Sequence, residues 1–257
     1  LGDIFHAYAL PAYIKHHIPK AHITWLCDKR FAPMLKAHPH VDQVIGMPLA
    51  KLKQARKKGG VVKEALGLLK HLRHTRFDYA FDFQSNLKSG SLMWLAKAKQ
   101  KVGFTFATSR EWPASLCPHQ RIKREFSLHK TEQLIHLVGE GLKLDRAQVQ
   151  SQPFALNEEE KQRVKAFEQT LNPARHKIMV AIGASRENKK LATGAWIELL
   201  NELANLAPID FFCVWGLPHE KQELELIDKS SGANLYLLDK MSIPLWQAHM
   251  QLMDGVI

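Results

Sequence analysis

Cysteine is scarce in this sequence, and long apolar runs are missing. The three cysteines, Cys27, Cys117 and Cys213, lie far apart, and no CxxC or CxxH pairing occurs, so neither a zinc site nor a disulfide framework is expected. No apolar run is long enough to cross a bilayer, since even the candidate stretch Ser91–Ala98 contains a lysine. No signal-peptide pattern is present, and a reduced, cytoplasmic setting is expected.

The sequence patterns of several common active sites are also absent. The chain has no DxD pair to hold a metal-bound diphosphate, no GxGxxG motif, no GxxxxGK[ST] loop and no Ser–His–Asp elbow. No metal or cofactor is therefore expected.

Positive charge is abundant, and its placement is uneven. Residues 1–150 carry 25 Lys and Arg against 11 Asp and Glu, a net charge of +14, whereas residues 151–257 carry 11 against 14, a net charge of −3. The basic half suits an anionic ligand such as a phosphorylated sugar, an acidic lipid or nucleic acid. Nucleic acid is not the expected partner, because the basic residues lack the interleaved aromatic side chains of a single-strand binder.

Short apolar runs alternate with amphipathic stretches, which is typical of an α/β fold with parallel sheets. In residues 1–150 we predict strands at Ile23–Cys27, Val44–Met47, Tyr79–Phe83 and Lys101–Phe104, and helices at Ile4–His17, Val61–His74, Asn86–Lys97 and His129–Leu142. In residues 151–257 we predict strands at Ile178–Ile182, Phe211–Trp215 and Leu235–Leu238, a buried strand starting at Gly255, and helices at Glu158–Leu171, Ala195–Leu206, Pro218–Lys229 and Leu245–Met253. These halves are predicted as two domains.

Asp3 opens the first predicted helix. An acid in this position can take the proton from an acceptor hydroxyl as that hydroxyl attacks a sugar carbon. An ordinary helix cap is the alternative, because Asp is a favoured capping residue.

Two loops that follow strands in the second half are candidates for nucleotide binding. The loop from Gly183 exposes backbone N–H groups that can hold phosphate oxygens, and Lys189 or Lys190 can neutralise a departing diphosphate. Glu220 can accept hydrogen bonds from ribose hydroxyls. The alternatives are a solvated surface loop and a favourable charge near a helix N-terminus.

Polar residues in the first half are candidates for acceptor binding. Gln84, Asn86 and Lys88 follow a strand and can contact hydroxyls and anions, or can simply begin a capped helix. Arg110 either pairs with Glu111 or reaches an anionic ligand.

Further basic residues can likewise either bind the acceptor or lie on an ordinary solvated surface. His129 begins a helix and serves the same site, or is merely exposed. Lys51 and Lys53 belong to a basic run that either is solvated or grips phosphate.

Four segments in order resemble the ADP-heptose:lipopolysaccharide heptosyltransferases of glycosyltransferase family 9, closest to the heptosyltransferase I type. They are Leu1–His6, Asp82–Ser89, Thr108–Ser115 and Trp215–Glu220. The resemblance implies a GT-B fold, with two Rossmann-like domains facing a cleft. The domain of residues 1–150 binds the acceptor, and that of residues 151–257 binds the ADP-sugar.

The resemblance also implies roles for individual residues. Asp3 is the general base. On the donor side, the matching residues are Ser185 and Lys189 for the phosphates, Glu220 for the ribose and Met241 for the adenine. On the acceptor side they are Lys51, Lys53, Lys88, Arg110 and His129.

Two departures from the family pattern are visible. The usual Lys-x-Trp-Pro is replaced by the residues Lys189–Ala192. An Asp-Thr-Gly-x-x-His segment, which supplies backbone donors to the diphosphate, is expected after Ile257, so the second domain is expected to be incomplete.

The resemblance implies inverting, metal-independent transfer of L-glycero-D-manno-heptose from ADP-heptose to a Kdo residue of a Kdo-lipid A acceptor. It implies a cytoplasmic enzyme at the inner face of the anionic inner membrane. Alternatives within the family are transfer of the second heptose and transfer to phosphorylated Kdo. An alternative of another class is a non-catalytic binder of anionic glycolipid.

Overall fold

The computed structural model describes residues 2–48, 66–67, 69–70, 72–145, 153–184 and 187–257. The chain divides into two compact units, Leu1–Gln152 and Pro153–Ile257. Lys51, Lys53 and Ser185, together with much of the predicted helix Val61–His74, lie outside the described residues.

The described part of the first unit alternates strands and helices. Its strands are β1 (Thr24–Asp28), β2 (Gln43–Met47), β3 (Arg76–Phe81), β4 (Lys97–Phe104) and β5 (Gln120–Ile122). Its helices are α1 (Gly2–Ala7), α2 (Leu10–His17), α3 (Ala32–Lys36), α4 (Leu87–Leu95) and α5 (Lys130–Leu142), with short 3₁₀ helices at Lys29–Phe31, Phe106–Thr108 and Trp112–Leu116. β1 pairs with β2, and β3, β4 and β5 form a second sheet, all in parallel.

The core of the first unit lies where α2 and α5 pack against β4. Tyr13, Val102, Phe104, Leu134 and Leu137 are almost completely buried there. The apolar residues of α5 recur at helical spacing, so they form one face of the helix, and this face covers the sheet. Because β3, β4 and β5 are parallel, their carboxyl ends meet at one edge of the sheet. Gln84, just beyond β3, contacts Asp3 in α1.

The second unit has one four-stranded parallel sheet in the order β8-β7-β6-β9. The strands are β6 (His176–Ala181), β7 (Ile209–Val214), β8 (Asn234–Leu237) and β9 (Gly255–Val256), and the helices are α6 (Glu158–Thr170), α7 (Thr193–Leu206), α8 (Pro218–Ser230) and α9 (Ile243–Met250). β7 is buried at five of its six positions, as expected for a central parallel strand. Leu200, Phe211, Cys213, Leu224 and Ile227 form the core.

Several predicted boundaries differ from the structure. The predicted helix Ile4–His17 is broken by a turn at Tyr8 and Ala9, where Pro11 in the first turn of α2 lacks the N–H that a continuous helix needs. The predicted helix Asn86–Lys97 ends at Leu95. The short elements α3 and β5 were not predicted, because five and three residues are too few to show a period.

Two further predictions need correction. One is the end of the strand predicted at Tyr79–Phe83, and the other is the burial of the strand predicted to start at Gly255. β3 ends at Phe81, because the carboxylate of Asp82 accepts hydrogen bonds from the next turn. The strand predicted at Gly255 forms as β9, yet Val256 is 48% exposed, since among the described residues β9 pairs only with β6. No helix in the described part of the chain is both long and apolar enough to cross a membrane.

Candidate functional site

Asp3 lies half-buried in the first turn of α1. Its Oδ2 accepts a hydrogen bond of 2.9 Å from Nε2 of Gln84, 81 residues further along the chain. Among the described residues, Oδ1 accepts no hydrogen bond, so one carboxylate oxygen is positioned and the other can accept a proton. Asp3 therefore has a hydrogen-bond partner far along the chain in addition to its place at a helix start.

The loop that carries Gln84 is held by the buried Asp82. Oδ1 of Asp82 accepts hydrogen bonds of 3.0 Å from the N–H groups of Gln84 and Ser85, and Ser85 has a left-handed φ of 51°. Asn86 then caps α4 by accepting from the N–H groups of Lys88 and Ser89. Burial raises the pKa of Asp82, while hydrogen bonds from the Ser89 side chain and from the N–H groups of Ser85 and Gln84, together with the charge of Arg124, act in the opposite direction.

Three cationic or titratable side chains interact electrostatically with Asp3. Arg124 is buried with its guanidinium carbon 3.9 Å from the ring centroid of Phe104. Burial lowers the pKa of Arg124, while Asp82 and Asp3 oppose that change. The pKa of Lys130 is lowered by burial first and then by repulsion from Arg124, with Asp3 again acting in the opposite direction.

His6 completes this group. Its pKa is lowered by burial and then by repulsion from His129 and Lys130, against the attraction of Asp3. Its ring lies 5.5 Å from that of His129, centroid to centroid. The surroundings of Asp3 are therefore electropositive, and they suit an acidic ligand.

Two of the predicted acceptor residues, His129 and Arg110, lie at exposed positions. His129 is exposed at the start of α5, where Nδ1 accepts from the N–H of Thr131 at 3.4 Å. Arg110 is exposed and acts on the pKa of Lys130. The carboxylate of Glu111 instead accepts a 2.7 Å hydrogen bond from the N–H of Leu87, so the described residues contain no Arg110–Glu111 ion pair.

Sequence reasoning missed the cations Arg124 and Lys130. Arg124 lies two residues after the end of β5, and a strand of three residues gives no clear sequence signal. Lys130 directly follows His129, which was a predicted site residue. The partial burial of Lys130, which distinguishes it from an ordinary surface lysine, cannot be read from the sequence.

The donor-side residues follow successive strands at the carboxyl edge of the second sheet. Gly183 and Lys189 follow β6, Glu220 follows β7 and Met241 follows β8. Lys189 is exposed at the end of a 3₁₀ helix, and Met241 is half-buried just before α9. Loops at this edge of a parallel sheet are the usual position of a nucleotide.

Glu220 joins two of these loops. Its Oε2 accepts hydrogen bonds of 2.7 Å from the N–H of Gly216 and 2.9 Å from that of Leu217. A β-carbon on Gly183 would overlap Oε1 of Glu220, so only glycine allows this close approach. Glu220 is buried in the first turn of α8, where its negative charge is also favourable for the helix.

No group of three or more His, Cys, Asp and Glu side chains within the described residues is arranged to hold a metal ion.

Comparison with known proteins assigns the class. The model of glycosyltransferase family 9 (heptosyltransferase) matches residues 65–257, and the chain belongs to this family. The family predicted from four sequence segments is confirmed, and with it the class of glycosyltransferase.

Curated relatives are lipopolysaccharide heptosyltransferases. The chain is 26% identical over 232 residues to lipopolysaccharide core heptosyltransferase OpsX of Haemophilus influenzae, covering 89% of this chain and 60% of that protein. It is 24% identical over 244 residues to lipopolysaccharide heptosyltransferase 1 of Escherichia coli K12, covering 95% and 73%.

Solved structures agree with the predicted fold. E. coli heptosyltransferase WaaC with ADP has a TM-score of 0.78 and 23% identity, with 99% of this chain and 77% of that one covered. The structure of WaaC with ADP-2-deoxy-2-fluoro heptose has a TM-score of 0.79, with 99% and 78% covered. The predicted α/β fold of the GT-B heptosyltransferases is confirmed.

Proposed function

We propose that the protein transfers L-glycero-D-manno-heptose from ADP-heptose to a Kdo residue of a Kdo-lipid A acceptor, with inversion and without a metal. The observation that carries this proposal is the carboxylate of Asp3, which is held by Gln84 among the cations Arg124 and Lys130. A positioned base in electropositive surroundings fits an acidic sugar as the acceptor.

Direct displacement is the chemistry that such a base supports. Oδ1 of Asp3 takes the proton of a Kdo hydroxyl as the hydroxyl oxygen forms a bond to the anomeric carbon of the heptose. The bond from that carbon to the diphosphate oxygen breaks, and ADP leaves with the electron pair. The proton then passes from Asp3 to solvent.

The donor-side residues take the roles that the family resemblance gives them. Lys189, Ser185 and the N–H groups of the loop from Gly183 stabilise the growing charge on the diphosphate. Glu220 accepts from the ribose hydroxyls, and Met241 contacts the adenine. The position of three of these residues on loops after β6, β7 and β8 supports the assignment.

The acceptor site is assigned from positively charged side chains. Besides Arg124 and Lys130, the residues proposed to bind the acidic sugar and its phosphate are Lys51, Lys53, Lys88, Arg110 and His129. The net charge of +14 over residues 1–150 supports a cytoplasmic enzyme at the anionic inner face of the inner membrane.

A donor and acceptor screen with the full-length protein tests the proposal. ADP release should require both ADP-heptose and Kdo-lipid A, and the product should carry one heptose with inverted anomeric configuration by NMR. Faster transfer to heptosylated or phosphorylated acceptors would assign another specificity within the family. Salt-sensitive glycolipid binding with no turnover of any nucleotide sugar would contradict the enzyme and favour a non-catalytic binder.

A further inference from the structure

Four large apolar side chains of the first unit lie exposed on two neighbouring elements. Leu87 and Trp94 on α4 are 58% and 65% exposed, and Trp112 and Leu116 on the adjacent 3₁₀ helix are 64% and 61% exposed. We call these four residues the α4 surface. Clusters of exposed apolar side chains on a folded unit usually mark an interaction site.

The two elements form a continuous support for this surface. A β-carbon on Gly90 would lie 3.0 Å from Cα of Ala114, so the two backbones are in direct contact. The N–H of Leu87 donates to Glu111, the residue before Trp112. Gly90 and Met93 are the buried residues of α4. Leu87 and Trp94, two helical turns apart, therefore share the outward face.

Exposed lysines lie on and next to α4. Residues 86–124 contain eight Lys and Arg and one acidic residue, Glu111, whose carboxylate is bound to the N–H of Leu87. Lys88, Lys97 and Lys99 are exposed on or next to α4, and Nζ of Lys99 lies 2.7 Å from Oδ1 of Asp78. Lys88 and Lys97 thus place positive charge beside the apolar side chains, where it can meet an anionic partner.

We infer that the α4 surface docks on an anionic lipid bilayer. Trp side chains prefer the membrane interface, Leu side chains enter the acyl region, and Lys side chains bind acidic head groups. A nucleic-acid strand fits less well, because Leu87 and Leu116 offer no ring on which bases can stack. A second copy of the chain fits less well, because two such surfaces carry the same positive charge.

Docking here brings the bilayer close to the loop of the base. Leu87 is three residues from Gln84, whose side chain holds Asp3. A membrane-embedded acceptor would therefore present its sugars near Asp3, a consequence that rests on the proposed function. The bilayer binding itself does not depend on it.

Vesicle sedimentation of the full-length protein tests the inference without any acceptor. Wild-type protein should bind vesicles of phosphatidylglycerol and phosphatidylethanolamine, and should bind phosphatidylcholine vesicles weakly. The double variant Trp94→Ser/Trp112→Ser should lower the partition coefficient about tenfold or more. The control Leu206→Ser/Leu226→Ser, which removes two exposed leucines of the second unit, should leave it unchanged. Unfolding curves confirm that each variant is folded.

Quenching by brominated lipids tests insertion directly. Trp emission of the wild type should be quenched, whereas Trp94→Phe/Trp112→Phe should still bind and lose most of the quenching. Absence of vesicle binding, or equal binding by the serine variant, would overturn the inference. Loss of oligonucleotide binding or of a concentration-dependent dimer in that variant, with vesicle binding unchanged, would assign the surface to those partners instead.

Activity assays separate this inference from the proposed function. If vesicles bind through the α4 surface but no transfer occurs, the proposed function alone fails. If transfer to a water-soluble acceptor fragment proceeds and vesicles do not bind, the docking surface alone fails.

Discussion

The side chain that fixes Asp3 is itself fixed by a buried carboxylate. Asp82 holds the backbone of Gln84 and Ser85, and Gln84 holds Oδ2 of Asp3. Because Nε2 of Gln84 is a neutral donor, it orients the base without removing its charge. Gln84 is in this sense a positioning residue for the reaction proposed above.

Replacing Gln84 by Glu should shift the pH dependence of transfer. A second carboxylate beside Asp3 disfavours its charged form, so the acidic limb of the kcat/KM profile should move to higher pH by about one unit or more. Gln84→Ala should lower kcat with little shift of this limb. The control Gln100→Glu changes an exposed glutamine of β4, and its pH profile should equal that of the wild type. An unshifted limb in Gln84→Glu would exclude this contact from the active state.

The buried His38 should make stability depend on pH. Its Nε2 lies 2.8 Å from the carbonyl of Tyr8, to which it donates, and its Nδ1 accepts from the N–H of His40. Burial lowers its pKa below the ordinary 6.5. The unfolded state therefore binds the proton more readily, and stability present above pH 6.5 is lost as the pH falls below it.

Chemical unfolding at pH 7.5 and at pH 5 measures this effect. His38→Gln keeps a donor and an acceptor without the titration, so the drop in unfolding free energy between the two pH values should shrink. His119→Gln, at an exposed position, should leave the drop unchanged. An equal drop in wild type and His38→Gln would assign the dependence to other groups.

At the scale of elements, the contact between Gly183 and Glu220 joins the loops after β6 and β7. Gly183→Ala should push Glu220 away and disrupt its hydrogen bonds to Gly216 and Leu217. We expect a loss of about 1–3 kcal/mol in unfolding free energy and weaker binding of ADP by calorimetry. Gly194→Ala is the matched control, since nothing lies within 4 Å of its added carbon. Equal ADP affinities in the two variants would contradict this role.

Most long elements could be predicted from the sequence, because periodic patterns of ten or more residues reflect burial directly. The helices α5, α6 and α8 and the strands of the second sheet follow the predicted segments within a few residues. Short elements could not be predicted. Because β5 was not predicted, Arg124 could not be placed near the end of a strand. The break before α2 had a visible cause in Pro11, but its place depended on tertiary packing.

At the scale of the whole molecule, the charge distribution along the chain is consistent with the assigned family. The arrangement of the candidate site, in contrast, depends on contacts between distant parts of the chain. The difference between +14 and −3 in the two parts of the chain was visible in the sequence. The pairing of Asp3 with Gln84, and the burial of Asp82 and Arg124, join segments far apart and had no local signal. Resemblance to a family supplied the roles that spacing alone left open.

The most direct test of the central claim compares Asp3→Asn with the wild type in single-turnover transfer from ADP-heptose to Kdo-lipid A, with donor affinity measured in parallel. Asn keeps the shape and can still accept from Gln84, but it cannot take a proton. Transfer should fall about 10²–10⁴-fold with ADP-heptose affinity nearly unchanged, while Asp78→Asn, at an exposed acid, should transfer normally. Near-normal transfer by Asp3→Asn would contradict its role as the base.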